Sequence, residues 1–551
     1  MLARLWVGAL SGIMSSLIQV KRKLLMVRIT RQSLAVLAAV LLLPPIAALH
    51  AADISKPVGN PNIVLILVDD LGYGDVGCYG ATKIKTPNID RLAREGRRFT
   101  DAHTASAVCT PSRYGLLTGQ YPFRVNSWGA LDYRDALLIN PNRLTVARLL
   151  KNAGYATACV GKWHLGFGDK SPDWNGDLKP GPLELGFDYY FGLPVVSSIP
   201  PYVYVENHRV CGLDPADPLR WDKKATGPTY AKPYPEKGGI DVFRGGRAAH
   251  ELYKDEEVCS NLTSHAVRWI GQHKDKPFFL YFAATNIHHP FTPGPRFRGT
   301  SECDLYGDFV QELDGAVGEI LQALNDHKLA DNTLVIFTSD NGGMLNAGGQ
   351  AAWKSGHRLN GDLLGFKFDV WEGGHRVPFI LRWPGRIAPG TRSDQLVSHV
   401  DMLATLAAVT GSKLGTNDGP DSLNALPSWT GNPEKPVRNF AILAPHKPTH
   451  LALRKDNWLY IPAQGGGGFQ GTSGHALGGP SALQFTGETN SDINNGKILP
   501  NAPQAQLYDL STDPSQHTNV IRQHSEIAQQ LADLLTKYKT QSRSTPAQQT
   551  P

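Results

Sequence analysis

Three features are scarce or absent in this sequence of 551 residues, and each absence excludes a class of protein. Six cysteines fit neither a disulfide-dense scaffold nor the spacing of a zinc site. The net charge is +6 and no lysine and arginine block runs through the body, so nucleic acid is not a predicted partner. Beyond residue 53 no segment is long and apolar enough to cross a bilayer, and we expect a soluble mature body.

The amino terminus differs from the body in carrying an apolar stretch at 34–43. Two arginines precede this stretch, and two prolines and a run of small residues follow it. This order is typical of a secretory signal peptide. We expect residues 1–52 to be a targeting segment, cleaved within its last five residues, and the protein to be periplasmic or secreted. An uncleaved membrane anchor is the alternative, and either Met1 or Met26 could be the true start.

Four apolar runs in the body are predicted to be buried strands. They lie at 63–68, 156–160, 278–284 and 334–337. Continuous apolar runs, rather than alternating ones, favour a parallel sheet that is covered on both faces. Helical patterns lie between them, and one of these begins at Thr86-Pro87 and ends at Gly96. The sequence therefore predicts a three-layer α/β/α sandwich with a mostly parallel central sheet over residues 57–440.

The sequence pattern changes after about residue 440. Residues 451–461 are predicted to form one strand, and the glycine-rich and polar region that follows, to about residue 503, is predicted to be an irregular loop. An amphipathic helix comes last. We predict a smaller α+β domain at 441–540 and a flexible tail at 541–551.

Oxygen-bearing side chains follow two of the predicted strands. Asp69 and Asp70 come after the first strand, and Asp340 and Asn341 come after the fourth. Either pair alone would be as consistent with a turn. Ligands of open α/β sheets bind beyond the carboxyl ends of the strands, so together the two pairs predict a site for a hard divalent cation. Calcium is favoured over zinc because no thiolate or imidazole cluster shares these positions.

The most specific motif is the run Cys-Thr-Pro-Ser-Arg-Tyr-Gly-Leu-Leu-Thr-Gly at 109–119. A lone cysteine in a globular protein is usually a small buried hydrophobic residue. Here Cys109 is followed by proline two residues on and by Arg113 four residues on, and Leu-Thr-Gly closes the run. This pattern resembles the signature of the type I sulfatases, arylsulfatase A-like members of the alkaline-phosphatase-like superfamily. The resemblance runs from about residue 60 to residue 385, with a weaker match through the C-terminal helix.

The resemblance implies that a maturation enzyme converts Cys109 into formylglycine, also called 3-oxoalanine. The implied ligands of one calcium ion are Asp69, Asp70, Asp340, Asn341 and the modified Cys109. One hydroxyl of the hydrated aldehyde would attack sulfur, and the second would expel sulfate as the aldehyde re-forms. Arg113, one helical turn after Cys109, would steady the diol.

A second motif, Gly-Lys-Trp-His-Leu-Gly, occupies 161–166 after the second predicted strand. Lys162 and His164 are two residues apart, so in an extended chain their side chains point to the same side. The resemblance, which includes this hexapeptide, assigns Lys162 to sulfate contact and His164 to the diol.

Two further site residues follow from the same resemblance. His288 aligns best with the family's sulfate-contacting histidine, and His289 is the weaker candidate. Lys367 matches a family lysine upstream of a Glu-Gly-Gly turn. Either His288 or Lys367 would protonate the leaving alcohol.

The chain departs from the family pattern at two places. Relatives often supply a further hydroxyl after the segment 192–194, but two valines intervene in this chain, and that role stays unassigned. His375, after the Glu-Gly-Gly turn, is either a substrate contact or structural, and Arg376 is expected to be structural.

Together these observations predict an exported, calcium-dependent sulfuric ester hydrolase of the arylsulfatase type. Its substrate would be a sulfated small molecule or carbohydrate. One rival is a phosphate or phosphonate monoester hydrolase, because tetrahedral anions of similar size fit similar pockets. Another is a catalytically silent sulfated-glycan-binding protein that keeps the pocket but never receives the aldehyde.

Overall fold

The computed structural model describes residues 60–220, 247–250, 252–469 and 476–546. The predicted targeting segment at 1–52 lies outside the described residues. The described residues belong to one compact unit, Val58–Pro551. None of their helices is both long enough and apolar enough to span a membrane.

In chain order, the strands of the described residues are β1 Asn62–Val68, β2 Arg97–Phe99, β3 Ala102–His103, β4 Ala156–Gly161, β5 Tyr189–Gly192, β6 Val205–Glu206, β7 Arg209–Val210, β8 Phe278–Ala283, β9 Thr333–Ser339, β10 Leu345–Asn346, β11 Phe379–Arg382, β12 Thr391–Ser393, β13 Val397–Ser398, β14 Phe440–Leu443, β15 Ala452–Lys455, β16 Trp458–Ile461, β17 Ala476–Leu477, β18 Ile493–Asn494, β19 Lys497–Ile498 and β20 Gln506–Asp509. The α-helices are Pro87–Glu95, Cys109–Thr118, Val146–Asn152, Arg247–His250, Val258–Gln272, Asp304–Asp326, Ala347–Lys354, Glu372–His375, Met402–Thr410, Leu426–Thr430, Pro480–Thr486 and Ser525–Thr540.

Ten strands form the central sheet, in the order β12-β2-β11-β9-β1-β8-β4-β5-β6-β7. The five strands from β9 to β5 run parallel to one another. Antiparallel pairs lie on either side of them, where β11 pairs with β9 and β6 pairs with β5. The four strands predicted from apolar runs are four adjacent strands of the sheet, β9-β1-β8-β4. The prediction of a mostly parallel sheet is confirmed.

Helices cover both faces of this sheet, as predicted. Val64 and Ile66 of β1 pack into a core on one face, whereas Ile63 and Leu65 pack into a second core on the other. The first core includes residues of the helices Pro87–Glu95, Val258–Gln272 and Asp304–Asp326. The second includes residues of Cys109–Thr118, Val146–Asn152 and Met402–Thr410. Because strands buried on both faces need apolar side chains at every position, these strands appear in the sequence as continuous apolar runs.

A smaller antiparallel sheet, β14-β15-β16-β20, follows the large one in the chain. The helix Ser525–Thr540 packs on it, with Leu531 and Leu535 in a core that also contains Leu453 and Leu507. The residues after 440 thus form an α+β layer, as predicted. The domain boundary at residue 440 stays a prediction, because this layer belongs to the same compact unit.

Two predictions for the C-terminal region were wrong. Residues 451–461 form two strands, β15 and β16, joined by a turn in which Asp456 has a φ of +52°. Aspartate tolerates this left-handed conformation, so the chain can reverse without glycine or proline. The region to residue 503 is not wholly irregular, since it contains the helix Pro480–Thr486 and the hairpin of β18 and β19.

The predicted flexible tail, 541–551, is also corrected in its first part. The Ser544 hydroxyl donates to Asp421 Oδ1 at 2.7 Å, and the Thr545 hydroxyl donates to Pro420 O at 3.0 Å. Ser544 is therefore held by the buried carboxylate of Asp421, although the polar composition of this segment predicted that it would be exposed to solvent. Residues 547–551 lie outside the described residues.

Candidate active site

Carboxylate and amide side chains meet at the carboxyl ends of β1 and β9. Asp69 and Asp70 follow β1, and Asp340 and Asn341 follow the neighbouring parallel strand β9. The Asp340 amide donates to Val68 O at 2.9 Å, and the Asp70 amide donates to Asp340 Oδ1 at 3.2 Å. All four side chains are buried. The structure thus brings together the four residues predicted to hold a cation.

Cys109 is the first residue of the helix Cys109–Thr118, which ends at Gly119 with a left-handed φ of +64°. Its Sγ lies within 4.8 Å of carboxylate oxygens of Asp69 and Asp340. Arg113 lies one helical turn later, as predicted, and donates to Asp340 Oδ2 at 2.8 Å. The motif therefore reaches the carboxylates through both its first residue and its arginine.

Two lysines approach the carboxylates from different elements. Lys162 Nζ, after β4, lies 2.7 Å from Asp69 Oδ2, and Lys367 Nζ lies 2.6 Å from Asp70 Oδ1. Although burial opposes its charge, Asp70 and the neighbouring acidic groups raise the pKa of Lys367. Burial also opposes the charge of Asp340, but Arg113 and the lysines outweigh it and lower the pKa of that carboxyl.

His164 Nε2 lies 2.8 Å from the carbonyl oxygen of Leu131. A carbonyl can only accept, so we assign the ring proton to Nε2. The lone pair of Nδ1 then stays available, since this buried atom has no hydrogen-bond partner among the described residues. Burial, helped by Lys162 and Arg113, lowers the pKa of His164 well below its usual range and keeps the ring neutral.

His288 lies next to the carboxylates, with its Nε2 3.8 Å from Asp70 Oδ2. Its other nitrogen, Nδ1, lies 2.8 Å from the carbonyl oxygen of His289. Burial, followed by the charge of Lys367, lowers the pKa of His288 well below its usual range.

Three buried oxygen atoms at the centre of the site accept no hydrogen bond from the described residues. They are Asp69 Oδ1, Asp70 Oδ2 and Asn341 Oδ1. Burial raises the pKa of Asp69 to about 7, with Asp340 and Asp70 adding to the effect and Lys162 opposing it. Buried polar atoms without a partner are rare in folded proteins. Because all three are hard oxygen ligands, the residues present fit a cation such as calcium.

Comparisons with known proteins decide the family. The family model described as Sulfatase matches residues 61–412. This chain belongs to the sulfatase family. Members of this family are sulfuric ester hydrolases, and this chain is therefore a sulfuric ester hydrolase. Residues 61–412 include the carboxylates, Cys109, both lysines and both histidines of the site.

Curated relatives and a solved structure agree with this assignment. The sulfatase is 38% identical to N-acetylgalactosamine-6-O-sulfatase of Bacteroides thetaiotaomicron, over 91% of this chain and 98% of that protein. It is 34% identical to the steryl-sulfatase of Rattus norvegicus, over 70% of this chain and 73% of that protein. A Bacteroides thetaiotaomicron structure solved in a study of glycosaminoglycan metabolism has a TM-score of 0.77 and 36% identity, and the match covers 88% of this chain and 100% of that one.

His375, for which sequence left two roles open, lies in a buried cluster of this sulfatase. Its Nδ1 is 3.0 Å from His103 Nδ1, and its Nε2 is 2.9 Å from the carbonyl oxygen of Val370. Arg376 bridges the same region, since it pairs with Glu372 at 3.1 Å and donates to Thr100 O at 2.8 Å. His375 thus joins β3 to the Glu-Gly-Gly turn, and Arg376 joins the same turn to Thr100.

Sequence reasoning missed Asp369, two residues after Lys367. This buried carboxylate accepts hydrogen bonds from the amides of Phe366 at 3.1 Å and Gly479 at 3.0 Å. Burial raises the pKa of Asp369 to about 7, although these amides favour the ionised form. The available signal was an aspartate between apolar residues, close to the lysine that matches the family. Its hydrogen-bond partner Gly479, however, lies 110 residues away in the sequence.

The raised pKa of Asp369 predicts a pH dependence of stability. The folded protein holds a proton at this carboxyl that the unfolded chain releases near its ordinary value of 3.8, so the contribution to stability falls as pH rises from about 4 to 7. Asp369→Asn is expected to remove this slope, which is at most about 1.4 kcal/mol per pH unit. Denaturant unfolding of both proteins between pH 4 and pH 8 measures it.

Asp331→Asn, a change at an exposed carboxylate, is the matched control and should keep the parent profile. Identical profiles for Asp369→Asn and the parent would contradict the raised pKa.

Proposed function

We propose that this sulfatase hydrolyses the sulfate ester of a sulfated carbohydrate, using formylglycine made from Cys109 and one calcium ion. The observation that carries the proposal is the position of Cys109, at a helix start with its Sγ within 4.8 Å of carboxylate oxygens of Asp69 and Asp340. A maturation enzyme that oxidises the cysteine is the implied partner.

The calcium ligands in this proposal are Asp69, Asp70, Asp340, Asn341 and the residue at position 109. Bound there, calcium would supply Lewis-acid polarisation of the sulfate group and of a hydroxyl at position 109. The support comes from the charge balance of the buried site. Three aspartates face Arg113, Lys162 and Lys367, so a dication would leave an excess of positive charge that favours an anionic ester.

The unmodified thiol of Cys109 would be a poor nucleophile in this site. Burial raises the pKa of the Cys109 thiol to about 11, against the opposing effect of Lys162 and Lys367. A neutral thiol is a weak nucleophile at neutral pH. Formylglycine would instead supply a hydrated aldehyde with one hydroxyl for attack on sulfur and another for release of sulfate.

Residues around position 109 would position and deprotonate such a hydroxyl. The free Nδ1 lone pair of His164 can accept its hydrogen bond, and the free amides at the start of the Cys109–Thr118 helix favour an anion. Lys162 and Lys367 would contact sulfate oxygens once the ester displaces part of their pairing with the aspartates. Either His288 or Lys367 would protonate the leaving alcohol, and of the two Lys367 is the one that is charged, because burial lowers the pKa of His288 and keeps its ring neutral.

The carbohydrate substrate is proposed from the extent of the similarity. The N-acetylgalactosamine-6-O-sulfatase match spans 91% of this chain and so includes much of the C-terminal region, whereas the steryl-sulfatase match spans 70%. A sulfated sugar is therefore favoured over a sulfated sterol.

Changing the nucleophile tests the proposal directly. Cys109→Ser offers one hydroxyl where formylglycine would offer two, so it is expected to lose sulfate release from sulfated sugars and nitrophenyl sulfate by at least about a thousandfold. Mass spectrometry of the tryptic peptide 99–113 of the parent enzyme should reveal an aldehyde. Cys78→Ser, at a half-buried cysteine, is the matched control.

Full turnover by Cys109→Ser, or an intact thiol in a fully active parent, would contradict the proposed chemistry. A strong preference for nitrophenyl phosphate over nitrophenyl sulfate would contradict the sulfate ester as the natural substrate.

Metal removal tests the calcium site separately. A chelator is expected to abolish sulfate release, and calcium should restore it better than zinc because the donors are carboxylate and amide oxygens. Calorimetric titration of calcium into Cys109→Ser measures binding without turnover, and Asp70→Asn should weaken it at least about tenfold. Unchanged activity of exhaustively chelated enzyme would contradict a required ion.

We also propose that the protein is exported through the segment 1–52. The apolar stretch at 34–43 and the small residues after it support this, since signal peptidases cleave after small residues. N-terminal sequencing of the protein from its native host is expected to find a start within 49–53. A mature protein that begins at Met1 or Met26, recovered from the cytoplasm, would contradict export.

A further inference from the structure

An aromatic cluster beside Lys367 has no part in the chemistry described above. Phe368, His446 and Phe469, together called the aromatic platform, contact one another. The ring centroid of Phe368 lies 5.8 Å from that of His446 and 5.7 Å from that of Phe469, and the centroids of His446 and Phe469 lie 6.4 Å apart. Phe368 and His446 are partly exposed, and Phe469 is 47% exposed.

Phe368 is held in an unfavourable backbone conformation. Its φ is +80°, a left-handed value that a residue with a side chain rarely adopts. Its amide donates to Ala107 O at 2.8 Å, and its carbonyl accepts from the His446 amide at 3.0 Å. These contacts tie it to the segment just before Cys109. Strain of this kind persists where surrounding structure fixes it, and it is concentrated at functional sites.

The glycine-rich segment, which was predicted to be an irregular loop, holds Phe469 in place. Gly466 O accepts from the Val370 amide at 2.7 Å, and Gly467 O accepts from the Lys447 amide at 3.0 Å. A Cβ at Gly466 or Gly468 would lie 2.4 Å or 2.2 Å from Asp369 Oδ1. Glycine is therefore required for the segment to pack against Asp369, and Phe469 follows directly from this fixed backbone.

The aromatic platform lies beside the site rather than on a distant surface. Lys367 Nζ lies 5.2 Å from the centroid of the Phe368 ring while it pairs with Asp70. On the other side, a Cβ at Gly129 would lie 3.8 Å from His446 Cε1. Two residues after Gly129, Leu131 contacts His164. The platform thus lies between the wall that holds Lys367 and the wall that holds His164.

Exposing these rings to water costs free energy unless a ligand covers them. Exposed apolar rings beside a cluster of polar side chains are typical of sites that bind the uncharged part of a ligand. His446 adds ring nitrogens to two phenyl rings, and burial lowers its pKa, so the imidazole is neutral. Two phenyl rings and a neutral imidazole suit a ligand ring that has apolar C–H faces and hydroxyl groups on its edge.

We infer that the aromatic platform binds the pyranose ring that carries the sulfate group, packing Phe469 and Phe368 against the apolar face of that ring. The inference rests on the proposed sulfated carbohydrate substrate and adds to it the residues that recognise the sugar. The sulfate group occupies the pocket of Lys162 and Lys367, and the sugar ring lies outside it on the platform. Asp369 is a positioning residue, because it fixes the glycine segment and not the ligand.

Steady-state kinetics of the mature enzyme test the inference. Phe469→Ala is expected to raise KM for N-acetylgalactosamine 6-sulfate about tenfold, with kcat changed less than about threefold, because ring contact is lost while the reacting groups stay in place. Phe469→Tyr should restore most of the affinity. The inhibition constant of inorganic sulfate, which lacks a ring, should change less than about twofold.

Val125→Ala, at an exposed apolar residue 37% accessible to solvent, is the matched control and should leave KM unchanged. Unchanged KM in Phe469→Ala, or an equal loss of sulfate affinity and sugar affinity, would overturn the inference. An equal loss for nitrophenyl sulfate and the sugar sulfate would overturn the sugar assignment in favour of a flat aromatic ligand.

Failure of the proposed function gives a different result. In that case the parent enzyme releases no sulfate from any of these esters. Calorimetry then measures the dissociation constant of the sugar sulfate for Cys109→Ser and for the double variant that also carries Phe469→Ala. A weaker affinity of the double variant would support binding of the sugar by the platform without any turnover. Equal dissociation constants in the two proteins would overturn it.

Discussion

The site depends on a balance of buried charges at the carboxyl ends of two neighbouring strands. The shortest ion pairs of Asp69, Asp70 and Asp340 are with Lys162, Lys367 and Arg113 respectively. A buried carboxylate without a partner would cost several kcal/mol, so each of these cations helps the fold to tolerate a buried aspartate. The pairing is incomplete, because Asp69 and Asp70 each keep one oxygen without a hydrogen bond from the described residues. These two oxygens fit the site for a cation. The positive charge of such a cation would in turn favour an anionic ester.

The parallel sheet explains why these groups meet. β9, β1, β8 and β4 lie side by side and point the same way, so the residues after each strand arrive at one edge. Asp69, Asp340 and Lys162 follow three of these strands. The fourth, β8, leads to the segment of Asn286 and His288, where the Asp69 amide donates to Asn286 O at 2.9 Å. The helix that begins at Cys109 brings this residue to the same edge, beside Asp69 and Asp340.

The C-terminal layer contacts the turn that carries Lys367. His446 follows β14 of the smaller sheet, and the glycine-rich segment joins that sheet to Asp369 of the large domain. The same contacts set the position of the aromatic platform and of Lys367. The proposed chemistry and the proposed ring recognition would therefore come from different parts of the chain that share one turn.

The amino-acid pattern was sufficient to predict the strands at the centre of the sheet, the helical turn from Cys109 to Arg113 and the residues that lie around Cys109. Local signals encode these features, since apolar runs, strand-end polar residues and a dense motif each lie within a few positions. The β15–β16 hairpin, the docking of residues 541–546 and the aromatic platform required the folded chain. The last two depend on contacts between distant residues, such as Ser544 with Asp421 across 123 positions and Asp369 with Gly479 across 110. Composition and periodicity contain no record of such pairings, because either partner alone has the pattern of an ordinary polar or glycine-rich segment.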